Sequence, residues 1–303
     1  MSDVLPRHAN VVIIGAGAIG CSIAWALARR GVSDIVVLEK SAITHGSTWH
    51  AAGLVGQYRN QNDLTRLMQL SVQLYCEMAS ETQIDWKQVG SLRLASSAER
   101  WHELEESALR AREQDVEFEL ISAGAARELF PNLNVAGVHG AAFVSGDGYV
   151  DPSSLTQEYA KRARSLGVRF VEDCLVNSIE RNGDRLTAAN TEHGRIETRS
   201  LVLAAGVWAR QLGRSFDFDI PVCAVEHQYV VTEKSSKIHP DLPALRDPDL
   251  GFYVKPDVGA LAIGGWEAGS CLASHGNVPF DFGRELYAGD LERLSSILEA
   301  AGR

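Results

Sequence analysis

No C-x-x-C pair occurs in the chain, and its five cysteines, Cys21, Cys76, Cys174, Cys223 and Cys271, stand far apart. That spacing excludes a zinc ribbon and a dithiol redox centre. An odd, unpatterned set of thiols fits a reducing compartment, so a cytoplasmic protein is expected. There is no long uninterrupted apolar run, and no membrane span is expected. The opening MSDVLPRHAN is short and polar and leads straight into a buried-type strand, which leaves no room for a signal or transit peptide. A basic excess is missing too: the net charge is -10, which argues against nucleic acid or an anionic membrane as a partner. No G-x-S-x-G points to hydrolysis. His45, His193, His239 and His275 are scattered without ligand spacing, so no metal site is expected. Internal repeats and low-complexity tracts are also lacking.

What is present is enough apolar residue, 45% of 303, to bury one large core or two modest ones. Val11-Val12-Ile13-Ile14 reads as a strand buried on both faces. A helix over 19–30 ends at Gly31, and a second buried strand runs over 35–38, giving a βαβ start. A long amphipathic helix is expected over 64–80, capped by Asn62 or Asp63. A strand over 89–95 precedes a charged, solvated helix over 98–113 and a short helix over 125–130. Asp151 and Pro152 read as the cap and first residue of a helix reaching 166. Strands follow over 168–171, 175–181, 185–189 and 195–198, then a fully buried one over 201–204. After Pro221 the chain turns β-rich, with strands over 223–232, 252–255 and 260–264, and a last helix is expected over 284–300.

Gly15-Ala16-Gly17-Ala18-Ile19-Gly20 is a G-x-G-x-x-G that follows a strand and opens a helix, with Glu39 at the end of the next strand. That context marks a dinucleotide site. Gly15 permits the tight turn, Gly17 admits a pyrophosphate and Gly20 lets the helix pack closely. The helix N-terminus supplies free N–H groups. Glu39 would accept the ribose hydroxyls and repel a 2′-phosphate, which disfavours NADP. NAD and FAD both satisfy this fingerprint. The stretch Gly46-Ser47-Thr48-Trp49-His50-Ala51-Ala52-Gly53-Leu54 separates them, because its small residues allow main-chain N–H groups to approach a flat ligand. Ser47 or Thr48 would cap a short helix there.

GAGAIG, VVLEK, GSTWHAAGL, GDGYVDP, LVLAAGVWA and HQYVVTE together resemble the FAD-dependent D-amino-acid-oxidase-like superfamily, and within it the sarcosine and dimethylglycine dehydrogenase branch. The resemblance implies an α/β fold: a Rossmann-like FAD-binding domain over 1–85 and 145–215, interleaved with a mixed α+β substrate domain over 86–144 and 216–303. It implies a covalent bond from an imidazole nitrogen of His50 to the flavin 8α-methyl carbon. It assigns 46–54 to flavin contacts, Glu39 and Lys40 to the adenosine ribose, Val176 to the adenine, and Trp208 to the Ala205-Gly206 turn. A neutral imidazole is a competent nucleophile, which agrees. The resemblance also places His227 and Tyr253 beside the substrate amine as catalytic residues. Taken alone, a strand histidine is more often structural. Alternation along a strand would put His227 and Tyr229 on one face.

The implied reaction is oxidation of a small secondary or tertiary amino acid of the N-methyl glycine type, by hydride transfer to flavin N5 and on to an unidentified electron acceptor. Relatives continue past the last helix with a flavin-covering strand and loop. A shortened chain, completed by a second polypeptide or left as a non-catalytic subunit, is therefore the alternative. Glycine oxidase or D-amino-acid dehydrogenase activity is the alternative among enzymes. No arginine declares itself as the carboxylate partner; Arg59 is read as solvated, and Asp147 and Asp151 as turn and cap residues.

Overall fold

The computed structural model describes residues 4–267 and 269–302. The chain divides into two compact units. The first takes residues up to Ala52, Asp151–Glu226 and Cys271–Tyr287. The second takes Gly53–Val150, His227–Ser270 and the stretch from Ala288 onward.

The first unit holds a parallel sheet in the order Leu201–Leu203, Val11–Ile14, Ile35–Leu38, Arg169–Val171. The two inner strands are continuous apolar runs because both faces are covered, as parallel sheets require. Helices Ala18–Arg29 and Pro152–Ser165 pack on one another, with Trp25 and Tyr159 in ring contact at 5.6 Å. Asp151 caps the second helix through the Ser154 amide, with Pro152 in its first turn. A three-stranded antiparallel meander, Val176–Asn182, Arg185–Thr191 and Gly194–Glu197, shares a core with the parallel sheet through Val176, Ala189 and Ile196. Leu201–Leu203 is only partly buried, against the expectation of a fully buried strand, because it closes one edge of the sheet.

The second unit is built on a seven-stranded sheet in the order Tyr229–Val231, Ala260–Gly265, Phe252–Asp257, Ala244–Asp247, Ser91–Ala95, Gly140–Val144, Phe118–Ile121. Every pairing is antiparallel except Ala244–Asp247 with Ser91–Ala95. One face is apolar: Leu92, Leu94, Leu245, Phe252 and Val254 pack with Leu294 and Ile297 of helix Leu291–Ala301. Alternation sends Arg93, Arg246, Tyr253 and Tyr229 to the other face.

Four expectations are corrected. The last helix begins at Leu291, where the Asp290 side chain accepts from the Arg293 amide, so 284–290 is not helical. Helix Asn62–Glu81 starts after Gln61, with no side-chain cap from Asn62 or Asp63. Helix Ala98–Glu113 is not simply solvated, since Leu104, Ser107 and Ala111 are buried beneath its charged face. His227 lies ahead of its strand, because pairing begins at Tyr229 opposite Gly264.

Candidate functional site

The first strand of the parallel sheet ends in a turn that only glycine fits. Gly15 has φ +104°, and a Cβ there would lie 2.5 Å from the Ala204 carbonyl oxygen. At Gly20 a Cβ would lie 1.9 Å from the Gly15 oxygen, so the helix packs directly onto the turn. Gly17 has ordinary dihedrals; its constraint is the Thr48 hydroxyl, 3.0 Å from where a Cβ would sit. That same hydroxyl accepts from the Ala18 amide at 3.0 Å. Thr48 thus caps the glycine-motif helix, whereas helix Ser47–His50 has no side-chain cap from Ser47 or Thr48, contrary to expectation.

Glu39 ends the second strand and is 6% exposed. Its two oxygens accept from the Ala16 amide at 2.8 Å and the Ser41 amide at 3.0 Å. Burial pushes its carboxyl up, and these two bonds pull it back down. Glu39 faces a cavity of about 230 Å³ that Gly15, Gly17, Ala18 and Ile19 line from one side. Val176, Ala205, Gly206 and Trp208 line it as well, as do Lys40, Ser47 and Thr48. Of the dinucleotide residues expected from sequence, twelve therefore meet on one cavity within one unit, and Gly20 packs beneath it. The crowded glycines, the exposed first turn of a helix and a carboxylate at the strand end fit the phosphates and ribose of FAD.

The residues around 46–54 are dispersed. Gly46 has φ +86°, and a Cβ there would meet the Trp208 indole at 2.7 Å. Trp208 in turn donates from its indole N–H to the Pro279 carbonyl at 2.9 Å and carries the Lys40 ammonium 4.2 Å above its ring. Lys40 also donates to the Phe282 carbonyl at 2.7 Å, and burial holds its ammonium below the usual lysine range. His50 is half-buried. Its Nδ1 lies 2.7 Å from the Gly46 carbonyl and its Nε2 lies 3.0 Å from the Glu285 carbonyl. A neutral ring has a proton for one of the two. The ring stacks on Phe282 at 5.5 Å and meets Trp49 edge-on at 4.9 Å. Trp49, His50, Ala51 and Ala52 stand outside the cavity lining, and Gly53 and Leu54 belong to the second unit.

In the second unit, His227 Nδ1 lies 3.2 Å from Glu267 Oε2. Tyr253 lies over Gly264, where a Cβ would come within 2.5 Å of the phenol oxygen. Burial and the charge of Glu267 are among the causes that push the Tyr253 phenol up to about 12. Sequence reasoning missed Glu267, the buried carboxylate within hydrogen-bond distance of His227. Its only signal was a glutamate two residues past the Gly264-Gly265 strand end, after Trp266.

Also missed were Arg93 and Arg246. They line a second cavity with Arg59, Tyr58 and Asp147, all within this unit. The available signal was an arginine at the centre of a strand, in SLRLA and in ALRD. Asp147 is no plain turn residue, being 4% exposed, and Arg59 is half-buried rather than solvated. Among the described residues no cluster of three or more His, Cys, Asp or Glu is arranged to hold a metal ion. None of their helices is long and apolar enough to cross a membrane.

Comparison with known proteins places this geometry. Dimethylglycine dehydrogenase, mitochondrial, of Rattus norvegicus is 36% identical over 305 residues, covering 97% of this chain and 36% of that protein. Sarcosine dehydrogenase, mitochondrial, of Homo sapiens is 34% identical over 308 residues, covering 99% of this chain and 33% of that protein. The crystal structure of L-proline dehydrogenase from P. horikoshii matches with a TM-score of 0.86 at 25% identity, covering 98% of this chain and 77% of that one. The chain thus spans about a third of the length of the curated relatives it matches. Those relatives are mitochondrial, which overturns the cytoplasmic expectation drawn from scattered thiols: a reducing compartment need not be the cytosol. The family model for FAD dependent oxidoreductases (DAO) matches residues 10–303, and with the glycine turn, Glu39 and their cavity in place, the chain belongs to that family.

Proposed function

We propose that this chain oxidises an N-methylated glycine, of the sarcosine or dimethylglycine type, with FAD bonded to His50. The observation that carries this reading is the match, over 97% and 99% of this chain and about a third of theirs, to enzymes named for those two amines, at 36% and 34% identity. When bound, the flavin supplies a two-electron acceptor for the hydride leaving a substrate methyl carbon, after which water converts the iminium to formaldehyde and the demethylated amine.

The chain's own residues prepare that step. Glu267 accepts the Nδ1 proton of His227, which leaves Nε2 with a lone pair for the ammonium proton of the substrate. An amine must be neutral before its neighbouring carbon can give up hydride. Tyr253, held as the neutral phenol at physiological pH, donates a hydrogen bond and orients the amine. At His50, the Gly46 carbonyl takes the Nδ1 proton in the tautomer that leaves Nε2 nucleophilic.

The test is anaerobic addition of sarcosine or dimethylglycine to the purified yellow protein, with bleaching of the flavin as the expected result. Bleaching by glycine or D-amino acids alone would select a glycine oxidase or D-amino-acid dehydrogenase. A colourless, folded protein would select a non-catalytic subunit. Acid precipitation tests the bond to His50, since yellow colour released wholly into the supernatant would rule it out.

A further inference from the structure

The buried carboxylate of Glu267 has a different neighbour at each oxygen. Its Oε2 lies 3.2 Å from His227 Nδ1. Among the described residues no donor comes within hydrogen-bond distance of its Oε1, and the Nε of Arg293 stands 3.9 Å from it. The Arg293 side chain is itself mostly buried, at 15% exposure, while the imidazole is half exposed. Imidazole, carboxylate and guanidinium thus form a row that runs inward from the surface of the second unit.

The start of helix Leu291–Ala301 holds both ends of this row. Arg293 lies in the first turn, where its backbone amide donates to the Asp290 side chain at 2.9 Å. Gln228, next to His227, clasps the same cap residue. Its side-chain amide donates to the Asp290 carbonyl at 2.7 Å and accepts from the Asp290 amide at 2.9 Å. The middle of the row is tied down by Ser270, whose hydroxyl donates to the Glu267 carbonyl at 3.0 Å. The other titratable groups around the row are Tyr253, whose phenol feels the Glu267 charge, and Tyr229 and Arg246, which act on that phenol. Along the chain, Glu226 precedes His227 and Glu292 precedes Arg293.

An unbalanced anion is costly away from water, so a buried carboxylate bonded to an imidazole draws a second proton onto the pair. That proton would occupy Nε2, the atom that must take the ammonium proton of the substrate. A guanidinium keeps its charge at physiological pH. On the far side of the carboxylate it balances the anion and opposes the second proton. We propose that Arg293 is a positioning residue for amine oxidation, holding Glu267 as the anion and His227 as the neutral imidazole with a bare Nε2. It acts through Glu267 rather than on the substrate. The assignment rests on the amine-oxidation reading above and adds to it the group that sets the pH range in which the amine can be deprotonated.

The experiment uses the FAD-loaded enzyme, Arg293→Gln, and Arg293→Lys, which keeps the charge. Arg293→Gln is expected to move the acidic limb of kcat/KM for dimethylglycine up by about one pH unit, a roughly 10-fold loss on the limb and little on the alkaline plateau. Arg293→Lys should recover most of that shift. A second readout needs no turnover: NMR of the protein with 15N-labelled histidines, the His227 signal being assigned by its loss in His227→Asn. At about pH 8 the wild-type ring should be neutral with its proton on Nδ1, and in Arg293→Gln it should gain the second proton about one pH unit higher than in wild type. A loss of activity uniform across pH, or a limb that moves while the His227 signal does not, would overturn the assignment and leave the amine oxidation standing. If no amine is oxidised yet the His227 signal responds as stated, the control of His227 by Arg293 stands and the oxidation reading falls. Should Arg293→Gln fail to fold, Arg293→Met, which keeps the apolar stem, carries the same expectation. A wild-type ring doubly protonated at about pH 8 overturns the assignment without any variant.

Discussion

His227 Nδ1 and Glu267 Oε2 are 3.2 Å apart, and the Glu267 side chain is wholly shielded from water while the imidazole is half exposed. The carboxylate therefore works as an anchor, fixing the ring's orientation and sending its Nδ1 proton inward. The other ring nitrogen is left to face outward with its lone pair.

That anchor is testable by charge. Glu267→Gln keeps an oxygen that can accept from Nδ1 but removes the charge, and is expected to lower kcat about 10-fold with KM little changed. Glu267→Ala removes both and should lower it further. Steady-state kinetics on the two variants checks the order; equal activity in both would reduce Glu267 to a packing residue.

Thr48 ties the loop before His50 to the glycine-motif helix. Thr48→Ala leaves the Ala18 amide without its acceptor and should cost about 1 kcal/mol of stability. Thr48→Ser keeps the hydroxyl and should cost little. Urea unfolding of the pair separates loss of the hydroxyl from loss of the methyl.

Glu39 sets a pH dependence. Burial raises its carboxyl above the ordinary glutamate value, so the folded state holds its proton where the unfolded chain has lost it. Stability contributed by this group is full below about pH 4.3 and declines as pH rises toward the folded value, with no further change above it. Glu39→Gln should abolish that decline. Unfolding free energies of wild type and variant, followed from about pH 4 to pH 7, give the difference directly.

The cysteines should divide by environment. Burial pushes the Cys21 thiol up to about 12, which leaves almost no thiolate at pH 8. Cys223 and Cys271 are exposed. Mass spectrometry after brief iodoacetamide treatment should find those two labelled and Cys21 unmodified until the protein unfolds.

Much of the first unit was legible because its signals are local. Val11–Ile14 and Ile35–Leu38 announce themselves as apolar runs, and Gly15, Gly17, Gly20 and Glu39 hold fixed spacings along them. Local signals fail where register decides. His227 reads as a strand residue, yet pairing starts two residues later, where Tyr229 finds Gly264. Arg59, Arg93 and Arg246 are far apart in sequence, and it is the parallel pairing of Ser91 to Arg93 with Ala244 to Arg246 that brings the last two together. Over 284–300 the apolar stripe at Leu291, Leu294 and Leu298 covers only the later part, and there the helix begins, with Asp290 as its cap. Arg284 instead reaches the Thr44 hydroxyl at 3.2 Å.

The empty side-chain position at Gly264 carries an evolutionary consequence. Its backbone needs no glycine; the Tyr253 phenol needs the space. A lineage that keeps the tyrosine is therefore held to glycine at 264, and one that shrinks residue 253 gains room there only if the strand of Tyr229, whose Cβ would lie 2.9 Å away, gives as well.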